Sequence, residues 1–102
     1  MLELRPSCEH CDKALPPSSQ VAMICTYECT FCEQCVRHVL LNVCPNCGGG
    51  FCARPNRPKN NLKGDNFLGA DPASTTRVHR PLVPLDHAEF AKEIKCIAPH
   101  DR

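Results

Sequence analysis

The chain has 102 residues, ten of them cysteine, and a formal net charge of +1. Its cysteine-rich part, residues 1–52, falls below the about 70 to 80 residues at which an apolar core alone usually suffices, so disulfides or metal ions must add stability. No apolar run approaches the about 20 residues that a membrane-spanning helix needs. We therefore expect no membrane association.

The N-terminus bears on the choice between disulfides and metal. Residues 1–6 include Glu3 and Pro6 and have no apolar core of signal-peptide length. We therefore expect a cytoplasmic chain. In a reducing compartment, closely spaced cysteines are typical of metal binding rather than of disulfides.

Eight cysteines form four close pairs with the spacing C-x2-C-x13-C-x3-C-x2-C-x2-C-x8-C-x2-C. A gap of two or three residues lets a short turn direct both sulfurs at one ion, so four pairs predict two tetrahedral all-cysteine zinc sites. The predicted ligands are Cys8, Cys11, Cys25, Cys29, Cys32, Cys35, Cys44 and Cys47.

Charge divides the chain into two parts. Residues 1–52, called the head below, carry three basic and five acidic residues, and residues 53–102, the C-terminal region, carry nine and six. Zinc-bound cysteines are thiolates, so eight of them make a metal-loaded head more acidic still. The sequence predicts an acidic metal-binding head joined to a mildly basic C-terminal region.

Short elements separate the cysteine pairs. Residues 8–11 form a knuckle-like turn and 12–19 a Pro/Ser loop, while 21–25 and 29–31 predict the two arms of a β-hairpin. Thr30 and Glu33 have capping-box spacing, and apolar residues recur at helical intervals through Val43. One central helix should therefore follow Cys32 and end before Pro45. Residues 44–50 form a second knuckle that is closed by glycines.

Two assignments of ligands to ions fit this order. Sequential sites would use Cys8, Cys11, Cys25 and Cys29, followed by Cys32, Cys35, Cys44 and Cys47. Interleaved sites would place Cys8, Cys11, Cys32 and Cys35 on one Zn²⁺ and Cys25, Cys29, Cys44 and Cys47 on the other. We favour the interleaved assignment because it ties both ends of the head to its middle. The predicted fold class is a small metal-stabilised α+β domain with a treble-clef cross-brace.

The ligand order, Phe31 before the fifth ligand and the closing Cys44-Pro45-Asn46-Cys47 resemble a RING finger with Cys29 where histidine is usual. The resemblance implies a metal framework. RING ubiquitin ligases use an apolar residue in the first ligand loop, but this loop holds Glu9 and His10. Ubiquitin-ligase activity is therefore disfavoured.

A second resemblance covers residues 1 to about 58. Residues 1–6, Leu15-Pro16-Pro17, the stretch 28–32, the stretch 44–51 and Arg54-Pro55-Asn56-Arg57-Pro58 are similar to a family of short bacterial proteins, domain of unknown function 1272. The resemblance implies a small, cysteine-rich, zinc-binding cytoplasmic protein and supplies no activity. Residues 59–102 look like an extension outside the family pattern.

The C-terminal region is predicted to be largely irregular. Residues 53–84 form a Pro/Asn/basic linker, 85–98 a short amphipathic helix and 99–102 a tail. Asp86 and Glu89 have cap spacing, and Phe90, Ile94 and Ile97 form one apolar stripe. This stripe either docks on the head or binds a partner.

Several residues remain outside the ligand set. Cys52 could replace a ligand, Cys96 should be an apolar position of the last helix, and His10 and His38 should be solvated. The basic residues of the linker are also expected to be solvated; they are Arg54, Arg57, Lys59 and Lys63.

Three classes of function remain. A structural zinc module that contacts another protein is favoured, because a closed four-thiolate site leaves no position for water or substrate. A nucleic-acid-binding zinc finger is disfavoured by the acidic head. A thiol-redox or zinc-responsive protein is the other alternative. No nucleophile, base and orienting group stand out, so we expect no enzymatic activity.

Overall fold

A computed structural model describes all 102 residues. In chain order its elements are strands β1 (Ala22–Ile24) and β2 (Thr30–Cys32), helix α1 (Glu33–His38), strand β3 (Cys52–Ala53), helix α2 (Pro84–Ile94) and a 3₁₀ turn (Pro99–Asp101). The strands form one antiparallel sheet in the order β2-β1-β3. The chain is thus a small α+β structure.

The predicted hairpin consists of β1 and β2, with Met23 opposite Phe31. Phe31 is buried, and its ring meets that of Phe51 edge-on with the centroids 5.6 Å apart. The third strand was not predicted from the sequence. Its two residues, Cys52 and Ala53, are both exposed and so give no alternating apolar pattern.

Helix α1 begins at Glu33 directly after β2, and Cys32 is its N-cap. The capping box predicted between Thr30 and Glu33 is wrong, because Thr30 lies in β2 and no side chain caps the helix. Instead, the Thr30 hydroxyl donates to the carbonyl of Glu28. The strand therefore runs directly into the helix at a cysteine.

Helix α1 ends sooner than the apolar periodicity indicates. Leu41 and Asn42 have positive φ angles of 55° and 57°, and the Asn42 N–H donates to the carbonyl of Val36 at 3.0 Å. These left-handed residues turn the chain before Pro45 blocks helix propagation. The turn brings the second knuckle back towards the sheet.

The core lies among the sheet, α1 and the two knuckles. Its buried apolar side chains include Leu15, Ala22, Phe31, Val36 and Leu40. Six of the eight predicted ligands belong to the same cluster, namely Cys8, Cys25, Cys29, Cys32, Cys35 and Cys44. The candidate metal ligands are thus part of the core itself.

Residues 54–83 contain no helix or strand, but they lie along the head. The N–H groups of Ser74 and Arg80 donate to the carbonyls of Leu4 and Glu9 at 3.1 and 2.7 Å. Strand β3 straddles the predicted boundary at residue 52. The division of the chain into domains stays a prediction.

Helix α2 spans Pro84–Ile94, whereas the sequence predicted 85–98. It begins with a proline after Val83 at the N-cap, so the side-chain cap predicted at Asp86 is wrong. At its other end, the Ile97 N–H donates to the carbonyl of Ile94 in a tight turn before Pro99. Cys96 therefore lies after the helix.

Helix α2 meets the head mainly through residues outside the predicted stripe, of which only Ile94 is half-buried and lies near Gly48. His87 and Ala91 are its buried residues, and His87 Nε2 lies 2.9 Å from the carbonyl oxygen of Leu40. Phe90 and Ile97 remain 48% and 43% exposed. A polar side chain thus anchors the helix, which apolar periodicity alone does not predict.

Candidate metal centre

The first knuckle holds Cys8 and Cys11 through its backbone. The Cys8 N–H donates to the carbonyl of Lys13 at 2.9 Å, and the Asp12 N–H donates to the carbonyl of Cys8 at 3.0 Å. Asp12 has a φ of 65°. This left-handed residue reverses the chain after Cys11, so both sulfurs lie on one side of the turn.

The second knuckle repeats this arrangement around Cys44 and Cys47. The Cys44 N–H donates to the carbonyl of Gly49, and the Gly48 N–H donates to the carbonyl of Cys44, both at 2.8 Å. Gly48 has a φ of 76° and takes the place that Asp12 has in the first knuckle. Glycine adopts this conformation without the steric cost that a side chain would bring.

Cys25 and Cys29 lie on either side of the hairpin turn. The Glu28 N–H donates to the carbonyl of Cys25 at 3.0 Å, and Glu28 has a φ of 67°. The Cys25 N–H then closes the turn on the carbonyl of Cys29 at 3.3 Å. The two thiols are therefore separated by a hairpin turn rather than held on one knuckle.

The sulfurs of the eight predicted ligands gather in two places. In each place all the sulfurs of the group lie within 4.8 Å of one another. The first group is Cys8, Cys11, Cys32 and Cys35, and the second is Cys25, Cys44 and Cys47. This grouping interleaves the cysteine pairs, and the sequential alternative does not match it.

Cys29 is the predicted ligand that lies outside these groups. It is buried, and its thiol interacts with those of Cys25 and Cys44 closely enough to affect its pKa. The second group thus has three converging thiols with a fourth beside it, instead of the predicted four. Cys25 and Cys29 are separated by a hairpin turn, unlike the cysteines of the two C-x2-C knuckles.

The first group fits a tetrahedral thiolate site. The sulfurs of Cys11 and Cys32 lie 3.7 Å apart. Zn–S bonds of about 2.3 Å in a tetrahedron separate sulfurs by about 3.8 Å, whereas a disulfide requires about 2.05 Å. All ten cysteines are free thiols. The four sulfurs would hold an ion whose role is to cross-link distant segments.

The second group has backbone donors aimed at its sulfurs. The N–H groups of Tyr27, Asn46 and Gly49 point at the sulfurs of Cys25, Cys44 and Cys47 at 3.3, 3.4 and 3.4 Å. Each donor lies two residues after its cysteine. Such bonds favour the thiolate form, which is the form that binds a metal ion.

Burial without an ion disfavours the thiolates. It raises the pKa of Cys35 and Cys44 strongly and that of Cys29 to about 11, with neighbouring thiols adding to the effect. Burial also raises the pKa of Cys25, but hydrogen bonds from Tyr27 and Cys29 outweigh it and the net shift is downward. A bound cation would replace the protons of these thiols.

The other cysteines and the histidines lie outside both groups. Cys52 and Cys96 are exposed. The prediction that His10 is solvated is wrong, because its Nδ1 accepts the Leu82 N–H at 2.9 Å and so holds the C-terminal region. His38 is exposed on α1.

Two structural residues were not predicted from the sequence. Glu9 is buried, and its carboxylate accepts the Thr30 N–H and a 2.8 Å bond from Arg5. Arg54 is 4% exposed and donates to the carbonyls of Arg5, Leu15 and Pro16. The prediction that Arg54 is a solvated linker residue is therefore wrong. Its carbonyl acceptors lie far away along the chain, so no local sequence pattern indicates the contacts.

Fold and site together define a cysteine-rich α+β protein with two thiol groups placed for metal binding. The chain belongs to the family described as "Protein of unknown function (DUF1272)", which matches residues 1–57. The resemblance of residues 1 to about 58 to this family is thus confirmed.

"Uncharacterized protein R02474" of Rhizobium meliloti (strain 1021) is 54% identical over 81 residues, covering 79% of this chain and 89% of that protein. This similarity reaches beyond residues 1–57. No solved structure matches the chain. Neither helix combines the length and the apolar character that crossing a bilayer requires.

Proposed function

We propose that this protein is a structural zinc-binding module of the RING-like, treble-clef type, in which two Zn²⁺ ions brace a surface for another protein. The observation that carries the proposal is the interleaved grouping of the sulfurs. The first ion would join residues 8–11 to the start of α1, and the second would join the hairpin turn to residues 44–47. Small all-cysteine sites are the usual setting of structural zinc.

The second ion would require Cys29 as its fourth ligand. Its thiol already interacts with those of Cys25 and Cys44. A small rearrangement of the hairpin turn would complete a tetrahedral set with Cys25, Cys44 and Cys47. Closed sites of this kind leave no position for substrate, so we propose no catalysis.

Native mass spectrometry of the freshly purified chain, compared with its denatured mass, tests the zinc proposal. We expect two Zn²⁺ ions per chain and ten free thiols after metal removal. Chelation should also unfold the head, as seen in the far-ultraviolet circular dichroism spectrum. A metal-free folded protein, or a mass lowered by paired hydrogens, would contradict the proposal.

Tyr27 supports the protein-contact part of the proposal. It lies between two predicted ligands and is 68% exposed. It borders a cleft of about 350 Å³ that Pro45, Arg80 and Leu82 also line. Exposed tyrosines are enriched at protein interfaces because they combine a large apolar area with a hydrogen-bonding hydroxyl.

A photo-crosslinking amino acid at position 27 tests this surface in the cell. We expect a discrete protein adduct that disappears when the metal is chelated. The matched control is the same amino acid at Leu62, which is 77% exposed but lines neither of the two cavities that Tyr27 borders. No adduct at position 27, or equal adducts at both positions, would remove this part of the proposal.

Nucleic-acid binding receives less support. Two of the basic residues beyond the head are already occupied, since Arg54 and Arg57 donate to backbone carbonyls. Their guanidinium groups are therefore not free for phosphate contacts, which provide most of the affinity of nonspecific nucleic-acid binding.

A further inference from the structure

The two cysteine groups differ in what stabilises their sulfurs. Cys8, Cys32 and Cys35 are 0%, 2% and 6% exposed, and no backbone N–H donates to their sulfurs. The sulfurs of the second group each accept one backbone N–H. Loss of an ion from the first group would leave buried thiolates without donors, while thiolates of the second group would keep theirs.

The second group also opens onto solvent. Cys25 and Cys47 line a cavity of about 690 Å³, and Cys47 is exposed. The first group has an exposed member too, Cys11. The cavities of about 350 to 690 Å³, however, are lined by no cysteine of the first group.

A further thiol, Cys52, lines the same cavity as the second group. It is exposed and lies opposite Ile24 in the sheet, directly beside the strand end that carries Cys25. Three cysteines therefore line one open cavity, and only two of them belong to the candidate metal group. The third, Cys52, is available to an incoming or departing ion.

We propose that the second group is an exchangeable metal site, which loads and releases a thiophilic divalent cation through this cavity with Cys52 as a transient ligand. The inference rests on the proposed function and adds a dynamic role to one of its two sites. In the exchange step Cys52 loses its proton to solvent and forms one metal–sulfur bond. One existing metal–sulfur bond then breaks, and the released thiolate is held by its backbone N–H or takes a proton from solvent.

Exchange of zinc for cadmium, followed over time by native mass spectrometry of the full chain, tests this inference. The protein is first shown to hold two Zn²⁺ ions and is then mixed with excess Cd²⁺. We expect one ion to be replaced at least about tenfold faster than the other, because outer-shell support typically changes metal binding by about 10- to 100-fold.

Two substitutions of exposed thiols that lie outside both groups identify the route. Cys52→Ser should slow the fast phase by about tenfold while the chain still holds two ions. Cys96→Ser is the matched control and should leave both phases unchanged, because Cys96 is exposed but lies outside the cavity lining.

The outcomes separate the inference from the function on which it rests. Equal exchange rates for the two ions, or a fast phase unaltered by Cys52→Ser, would overturn the exchangeable site while leaving the structural zinc module intact. Fewer than two ions at the start, before cadmium is added, would contradict the proposed function as well.

Discussion

The two cysteine groups are built on similar knuckles but supported in different ways. The knuckle of the first group is held from outside its own turn, since the Glu9 carboxylate accepts the distant Thr30 N–H and a bond from Arg5. The second group is supported by N–H donors within its own turns. The same C-x2-C knuckle can therefore depend on contacts from other segments, as in the first group, or on hydrogen bonds within its own turn, as in the second.

Removing one ligand from each group should give the largest difference between the two groups. Cys35→Ser should cost one ion and the folded head, because a structural zinc site supplies about 10 to 16 kcal/mol of apparent binding free energy. Cys47→Ser should also cost one ion but leave the head folded, since this cysteine is exposed. Native mass spectrometry and circular dichroism measure both effects, and equal unfolding by the two variants would contradict the comparison.

The next largest effect should come from Arg54, which braces the chain on both sides of the first knuckle. Its guanidinium donates to the carbonyls of Arg5, Leu15 and Pro16, although burial lowers its pKa. Arg54→Gln should lower the free energy of unfolding by about 3 kcal/mol, because buried acceptors lose charged donors. Chemical denaturation of the metal-loaded protein measures the change.

Arg37→Gln is the control for this measurement. Arg37 forms an exposed ion pair with Glu33 on α1, and such pairs contribute at most about 1 kcal/mol. A loss of stability in Arg37→Gln as large as in Arg54→Gln would show that burial does not account for the role of Arg54.

A smaller effect should come from the left-handed residue of the second knuckle. Gly48 has a φ of 76°, and an added Cβ would meet only ordinary contacts, the nearest being Ile94 Cδ1 at 3.7 Å. Gly48→Ala should therefore cost about 1 kcal/mol of backbone strain. We expect this strain to loosen the second ion and leave the first unchanged.

Gly64→Ala provides the matched control, because Gly64 has a φ of 60° in an exposed turn and its nearest contact would be equally ordinary. The same strain there should leave both ions in place. Competition with a chromogenic chelator measures how tightly each ion is held, and equal losses from the two variants would count against a local effect.

The smallest effect concerns Asp12, which binds Arg77 from the C-terminal region. The hydrogen bond from Arg77 holds the pKa of Asp12 below its ordinary value of 3.8. The contact therefore contributes to stability above that ordinary pKa, and the contribution is lost as the pH falls through the lowered pKa. Both side chains are partly exposed, so the effect on stability should be slight.

Arg77→Gln should raise the pKa of Asp12 towards 3.8, as followed by nuclear magnetic resonance titration of its carboxyl group. Arg80→Gln is the control, because Arg80 forms no ion pair with Asp12. An unchanged Asp12 pKa in Arg77→Gln would show that this contact does not hold the C-terminal region to the first knuckle.

The local parts of this structure could be predicted from the sequence. Paired cysteines, the hairpin between Ala22 and Cys32, and the helix after Cys32 depend on contacts within a few residues. Cys29 was harder to place because a hairpin turn, rather than a knuckle, sets its distance from Cys25. Cys25 and Cys29 do not form a C-x2-C knuckle, so the sequence spacing alone does not assign both of them to one ion.

The distant parts could not be predicted, for a different physical reason. Arg54 and His87 look like surface residues in the sequence, yet each is buried and bound to a backbone carbonyl far along the chain. A backbone acceptor has no residue identity, so nothing in the sequence marks it. Polar anchors of this kind become visible only in the folded structure.

The most direct test of the interleaved metal centre is nuclear magnetic resonance of the ¹¹³Cd-substituted protein, in which cysteine Hβ protons couple to the ion that their sulfur binds. We predict that Cys8, Cys11, Cys32 and Cys35 couple to one ion and that Cys25, Cys29, Cys44 and Cys47 couple to the other. Coupling of Cys8 and Cys11 to the same ion as Cys25 and Cys29 would mean sequential sites and would contradict this account.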